Sequence, residues 1–147
     1  MPDYDVTGNI EWRAKCAILD VIANDLDIEG ITTNVRKAGD TTTARADNSI
    51  AIDVLSLKGL FGCPEYQLKI DLEFETRASV DTTGERVDAM VGAVRDIFNG
   101  DDYKARFNDQ QRGVHFHEIQ ETEVFSNDDK TTRRRIMSLD GQAYISE

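Results

Sequence analysis

Two histidines separated by one residue form the cluster in this 147-residue sequence that comes nearest to a metal site. In an extended strand, His115 and His117 fall on one face, and Glu121 lies further along that face if no bulge intervenes. Two imidazoles and a carboxylate suit a divalent metal ion. The alternative is that both histidines lie on a solvated face while Val114 and Phe116 enter the core. Because one strand alone rarely completes a site, we expect no bound metal here.

A run of three arginines, Arg133–Arg135, suggests a surface for an acidic partner or for nucleic acid. Within a strand, Arg134 points away from Arg133 and Arg135, so the three guanidinium groups do not form a single patch. The preceding strand carries three glutamates that are natural cross-strand partners, Glu118, Glu121 and Glu123. We therefore predict charge pairing across a hairpin, or a contact between subunits, and not a nucleic-acid site.

Other catalytic patterns are missing from the sequence. The acidic pairs Asp101–Asp102 and Asp128–Asp129 lie in turn-like contexts and lack the ligand spacing of a calcium loop. The sequence contains no GxSxG elbow, no phosphate-cradling GxxxxGK[ST] or GxGxxG loop, and no HExxH pair. We therefore expect no catalytic residue and no cofactor, and predict that the protein is not an enzyme.

The formal net charge of −11 argues against a protein that holds nucleic acid by its phosphates. It is compatible with a wall past which DNA slides, because like charges repel. No apolar run approaches the roughly 20 residues of a membrane helix, and the first residues lack the pattern of a secretory signal. We therefore expect folding in a cytoplasm, with Cys16 and Cys63 as reduced thiols.

The first half of the chain predicts one long helix followed by mixed structure, within a single domain over residues 1–147. Apolar residues at helical spacing predict a helix over Asn9–Leu26, capped by Thr7 or Asn9. Gly30 follows as a stop signal.

Short β-branched stretches follow this helix. We predict a strand over Ile31–Val35 and another over Ile50–Leu57. The polar segment between them, Arg36–Ser49, has no period and is predicted to be a long flexible loop of functional importance.

Tyr66–Ala78 shows the clearest pattern in the chain, a clean alternation of mostly apolar residues with polar or charged ones. Such alternation predicts a strand with one core face and one wet face, as in an antiparallel sheet. At about 3.3 Å per residue, it would span roughly 40 Å.

A helix and a hairpin complete the predicted elements. The helix is predicted over Thr82–Asn99, with a capping box from Thr82 to Glu85 and a left-handed stop at Asn99–Gly100. After an irregular segment, two strands over Gly113–Phe125 and Thr131–Ile145 form a long hairpin.

This order of elements resembles the tail terminator, or tail-completion, proteins of long-tailed bacteriophages, whose relatives include other ring-forming neck and tail-end proteins. The similarity lies in element order and pattern, and is strongest over Tyr66–Ile145. It implies an α+β fold with a mainly antiparallel sheet, covered by two helices on one face, and a long C-terminal hairpin.

The same resemblance implies a structural virion protein that assembles in the host cytoplasm and has no membrane partner. It would form a homohexameric ring at the head-proximal end of the tail tube, stop tube polymerisation and join the tail to the head connector or neck. DNA would pass through the lumen without sequence-specific binding. The expected subunit or partner contacts are Arg36, Lys37, Asp40, Arg45 and Asp47 in the loop, Asn127, Asp128, Asp129 and Lys130 at the hairpin tip, and Arg133, Arg134 and Arg135.

Three alternatives remain open at this point. A head-closure or connector-adaptor protein of the neck belongs to the same structural class. A small metal-dependent enzyme would use His115 and His117. A regulatory or nucleic-acid-binding protein is disfavoured by the net charge.

Overall fold

A five-stranded sheet with helices packed on one face forms the molecule in the computed structural model, which describes residues 9–32, 34–38, 48–59, 65–108 and 112–145. The elements along the chain are α1 (Ile10–Ala23), α2 (Leu26–Glu29), β1 (Val35–Lys37), β2 (Asn48–Gly59), β3 (Glu65–Arg77), α3 (Glu85–Asn99), α4 (Tyr103–Phe107), β4 (Val114–Ser126) and β5 (Thr132–Ile145). The strand order is β1-β2-β3-β5-β4, and every neighbouring pair is antiparallel except β1 with β2. The predicted α+β class, mainly antiparallel sheet and C-terminal hairpin are confirmed.

The first helix begins where the sequence predicts and ends earlier. The side chain of Asn9 caps it by accepting from the Trp12 amide at 3.1 Å. The helix stops at Ala23 instead of Leu26, because Asp25 accepts hydrogen bonds from the amides of Asp27 and Ile28 and starts a second helix, α2. A side chain that caps a new helix competes with continuation of the old one.

The segment around β1 differs from the prediction. The amides of Ile31 and Thr32 both bond the Ile28 carbonyl, so those residues close α2 and are not a strand. The two ends of the predicted loop over Arg36–Ser49 are strand residues and not loop. Its first two residues belong to β1, whose Val35–Lys37 pairs in parallel with residues 50–52 of β2, and its last two open β2. Residues 39–47 lie outside the described part.

The central strand β3 confirms the alternation read from the sequence. Its apolar side chains Leu68, Ile70, Leu72 and Phe74 are at most 1% exposed and lie under the helices. β2 and β5 flank this strand on either side. Beside β3 on β5, a Cβ atom on Gly141 would lie 3.2 Å from Ile70 Cδ1, so a larger residue there would need Ile70 to shift by a few tenths of an ångström.

The capping arrangement of α3 is not the predicted one. The helix begins at Glu85 instead of Thr82, and its N-cap Gly84 adopts φ +80° without a side-chain cap. The carboxylate of Asp81 takes the role predicted for Thr82, because it accepts from the amides of Arg86 and Val87. The predicted left-handed stop is also wrong, since Gly100 is extended at φ −69° and ψ 149°.

The segment predicted to be irregular contains the short helix α4. Its Phe107 is fully buried and stacks on Phe98 of α3 with ring centroids 5.0 Å apart. Phe107 also meets Phe116 of β4 edge to face at 6.2 Å. This aromatic contact explains why the segment is ordered against the sheet. None of the helices in the described ranges is both long and apolar enough to cross a bilayer.

Candidate functional site

The turn between β4 and β5 is held by its own carboxylates. Asp129 Oδ1 accepts from the amides of Thr131 at 2.8 Å and Thr132 at 2.7 Å. These amide hydrogen bonds hold the pKa of the Asp129 carboxyl below its ordinary value. The amide of Asn127 donates to the Arg134 carbonyl at 3.0 Å, which closes the hairpin. The tip is therefore a defined turn that presents exposed side chains.

Arg133 and Arg135 point to the helix side of the sheet and tie the tip to α3. Arg133 Nε donates to the Asp81 carbonyl at 2.6 Å. Arg135 Nε donates to Asp88 at 3.1 Å, and its Nη1 donates to Asp128 at 2.6 Å. The Arg135 hydrogen bond is the main reason that the pKa of Asp128 lies below its ordinary value. Both arginines are thus engaged within the chain.

Asp81 is the buried centre of this arrangement, with an exposed fraction of 4%. Its Oδ2 accepts from Thr76 Oγ1 at 2.8 Å and from the Val87 amide at 3.0 Å, and its Oδ1 accepts from the Arg86 amide at 3.1 Å. Burial raises the pKa of Asp81, but these hydrogen bonds and the charge of Arg133 outweigh it and hold the pKa below its ordinary value. We use the name tip cluster for Thr76, Asp81, Asp88, Asp128, Arg133 and Arg135.

Arg134 points to the opposite face, which confirms the predicted alternation of the run. Its Nε lies 2.9 Å from Glu73 Oε1, and its Nη2 lies 3.4 Å from Glu75 Oε2, both on β3. The predicted pairing with glutamates of β4 is wrong for Glu121, which bonds Arg95 of α3 with Nη2–Oε1 at 2.7 Å. Glu121 lies on the helix side of the sheet, so it meets a helix and not the arginine run.

The histidine pair lies against an aromatic ring at the other end of the sheet. The rings of His115 and His117 each have their centroid 4.9 Å from that of Tyr144 on β5. His117 Nε2 also lies 2.9 Å from Glu65 Oε1 on β3. The alternative expectation, that Phe116 enters the core beside partly exposed histidines, is confirmed.

The predicted grouping of Glu121 with the histidines is wrong for a geometric reason. β4 carries two irregularities, between Phe116 and Glu118 and between Glu121 and Glu123. The first of them lies between the histidines and Glu121, and a bulge there adds one residue and so exchanges the faces of the side chains beyond it. Within the described ranges, no three histidine, cysteine or acidic residues are placed to hold a metal ion.

The sheet face that carries no helix is strongly acidic, and we call it the uncovered face. Among the side chains that the structure describes, the cross-strand registers place four basic ones on it, Arg36, Lys69, Arg77 and Arg134. The same registers place eight carboxylates there, Asp53, Glu65, Asp71, Glu73, Glu75, Glu118, Glu123 and Asp140. A shallow cleft of about 260 Å³ on this face is lined mainly by Gln67, Glu118, Gln120, Asp140 and Gln142. Such a surface repels polyanions and attracts cationic groups.

Both edges of the sheet are partly blocked by neighbouring side chains. On the β2 side, Glu11 of α1 accepts from the Ser56 amide at 3.0 Å. On the β4 side, Asn108 accepts from the Phe116 amide at 3.0 Å. Each contact satisfies a backbone donor that would otherwise be free to pair with another chain. The remainder of β4 and the short strand β1 have no further strand beside them in the described residues.

The predicted contact residues fall in three places. Arg36 and Lys37 lie on β1, where Lys37 Nζ is 5.6 Å from the centre of the Trp12 ring. Asn127, Asp129 and Lys130 lie at the hairpin tip, and Asp128, Arg133 and Arg135 belong to the tip cluster. Arg134 lies on the uncovered face. Asp40, Arg45 and Asp47 lie outside the described residues. The partner role of all these residues stays a prediction.

Sequence reasoning missed Asp81 as the residue that organises the tip cluster. The available signal was the string Asp81-Thr82-Thr83 ahead of a helix, in which each residue is a favourable cap. The choice of Asp81 depends on Thr76 and Arg133, which only the fold brings near.

Comparison with known proteins shows a shared fold. No protein-family model matches the chain, and no curated protein matches it. Among solved structures, 23 chains match. One is a chain of a structure described as the virion of a native gene transfer agent (GTA) particle, with a TM-score of 0.63 and 13% sequence identity. The match covers 97% of this chain and 99% of that chain, so the two folds correspond over nearly their whole lengths.

Proposed function

We propose that this protein is a structural component of a phage-like virion. In this role it forms a ring at the head-proximal end of the tail tube, stops tube polymerisation and joins the tail to the head connector or neck. The observation that carries the proposal is the whole-length fold match to a chain of a gene transfer agent virion. The order of elements that resembles tail terminator proteins supports the finer assignment.

The charge distribution supports a ring through which DNA passes. Eight carboxylates against four basic side chains among the described residues of the uncovered face leave few cations to hold phosphates. Affinity for DNA depends on such cations and the counterions that they release. DNA that moves past this face would therefore be repelled and not retained.

The role that we propose is structural and not catalytic. The tip cluster joins polar groups from β3, α3 and β5, and its hydrogen bonds connect those elements to one another. The partners proposed are further copies of this chain, the tail tube protein and the head connector or neck protein. The exposed tip residues Asn127 and Lys130 are proposed to face one of these partners.

Deletion of the gene from the phage or particle genome tests the proposal. A protein that ends tube growth should leave tubes of abnormal length and heads without tails when it is absent. Tail lengths measured by negative-stain electron microscopy, with the wild-type gene supplied in trans as the control, provide the readout.

The same images separate the two structural candidates. Tubes of normal length that are detached from heads would favour the head-closure or connector-adaptor role instead. Particles with normal length and normal joining would overturn the whole proposal. Native mass spectrometry of the purified protein, together with imaging, would show whether it forms a ring by itself.

A further inference from the structure

The two edges of the sheet carry opposite charge. β1 contributes two cations among its three residues, Arg36 and Lys37, at one edge. At the other edge, β4 contributes Glu118 and Glu123 on the uncovered face. The register places Arg36 on that same face, because it pairs with Ala51, which in turn pairs with Glu73. One edge is therefore complementary to the other in sign and in the face that bears the charge.

The same two edges have backbone available for pairing. Within the described residues, β1 pairs with β2 alone and β4 pairs with β5 alone. Asn108 accepts from β4 at Phe116, and Glu11 accepts from β2 at Ser56. Phe125, 48% exposed near the far end of β4, adds apolar surface to that edge. Open edge strands are the positions at which chains add to one another.

We infer that the β1 edge of one copy binds the β4 edge of a second copy, with Arg36 placed against Glu118 and Glu123. This inference rests on the ring role proposed above and names the surfaces that close the ring. Because two different edges meet, the contact is head-to-tail, which generates a ring when the rotation closes. Opposite charges at the two edges favour this contact over β1 with β1 or β4 with β4, which would place like charges together.

Site-directed cross-linking tests the contact without altering its charges. Ala38→Cys places a thiol on an exposed residue after β1, and Gln120→Cys places one on an exposed residue of β4. Each change is made in a chain carrying Cys16→Ala and Cys63→Ser, and one of the two chains is labelled with a heavy isotope. The mixed chains are treated with a short bis-maleimide at low salt, and mass spectrometry counts the products.

The expected product joins the Ala38→Cys chain to the Gln120→Cys chain, in several-fold excess over either same-site dimer. Adding Arg36→Glu to the first chain should reduce this product about tenfold, because like charges then meet. Adding Glu118→Arg and Glu123→Arg to the second chain should restore it. The matched control is Arg86→Glu, which makes the same charge change at an exposed position of α3 and should leave the product unchanged.

Three outcomes would overturn the inference. They are same-site dimers in equal or greater yield, no product above that of a control pair with Glu29→Cys, and an equal loss with Arg86→Glu. Circular dichroism of each variant checks that it is folded. The result is distinguishable from the gene-deletion test: abnormal tails without this cross-link would refute the edge contact and retain the ring role. The cross-link together with normal tails would retain the edge contact and refute the ring role at the tail end.

Discussion

The tip cluster and the uncovered face are both rich in charge, and they are organised in opposite ways. In the tip cluster, Asp81 is 4% exposed and Arg135 has a side chain 12% exposed, and each bonds partners on other elements. On the uncovered face, carboxylates stand in cross-strand rows, and Asp53 remains 59% exposed although Lys15 Nζ lies 3.6 Å from its Oδ1. This contrast indicates that Asp81 and Arg135 connect elements of the fold, while the exposed carboxylates of the uncovered face lie in contact with solvent.

The largest effect should follow from removing the buried acceptor of the tip cluster. We expect Asp81→Ala to lower the free energy of unfolding by about 2–4 kcal/mol, because Thr76 and two α3 amides lose their acceptor in a buried place. Urea unfolding followed by circular dichroism measures this change.

The matched control is Thr82→Ala, which changes an exposed side chain next to Asp81 and keeps the backbone carbonyl that Arg133 bonds. We expect it to alter the free energy of unfolding by less than about 0.5 kcal/mol. Equal losses in the two variants would mean that Asp81 does not organise the tip cluster.

Acid should weaken the same region. Folding lowers the pKa of Asp81 and of Asp128 below the value of about 3.9 for an unfolded aspartate. In the window below about pH 4, the unfolded chain therefore binds more protons, so the stability present above that pH is lost as the pH falls through the folded pKa values. Unfolding free energies from about pH 7 down to about pH 3 should fall more gently in Asp81→Asn than in the wild type. If the two proteins lost stability equally over this pH range, Asp81 would not contribute to the acid sensitivity.

Two adjacent arginines provide a direct comparison of the two regions. Arg135→Ala should cost about 1–2 kcal/mol, because it removes two charge-assisted hydrogen bonds and a largely buried stem. Arg134→Ala should cost less than about 1 kcal/mol, since its ion pairs with Glu73 and Glu75 are partly exposed and screened. Urea unfolding at low salt and at about 1 M NaCl tests this, with the Arg134 effect lost at high salt. A larger loss for Arg134 would reverse the comparison.

The same contrast shows which features a sequence can predict. The alternation of Tyr66–Ala78 and the apolar stripe of α3 depend on local periods, and both elements form over most of their predicted ranges. The ends of the elements were less predictable. Asp25 caps α2 and so ends α1 early, and Gly84 is the N-cap of α3, which therefore begins later than predicted. The first depends on the side-chain hydrogen bonds of Asp25 and the second on the backbone angle of Gly84, and a period encodes neither.

The candidate sites were harder to predict, because they depend on register. The arginine run Arg133–Arg135 was expected to meet glutamates on β4, but Arg134 contacts two acids on β3, the other neighbour of β5. Glu121 was grouped with the histidines, but the irregularity in β4 between Phe116 and Glu118 places it on the helix side, against Arg95. Neither a bulge nor a strand order is visible in the spacing of the residues.

The smallest effect on stability should come from the uncovered face. Glu118→Gln with Glu123→Gln removes two exposed carboxylates from an acidic surface, so we expect a change below about 0.5 kcal/mol in the free energy of unfolding. The matched variant, Asp88→Asn with Asp128→Asn, makes the same change in net charge within the tip cluster and should be clearly destabilising, because it weakens both bonds of Arg135. Urea unfolding of both variants under the same conditions measures the two changes in the free energy of unfolding. If the uncovered-face variant lost as much as the tip variant, its carboxylates would be needed for folding and would not be reserved for a partner.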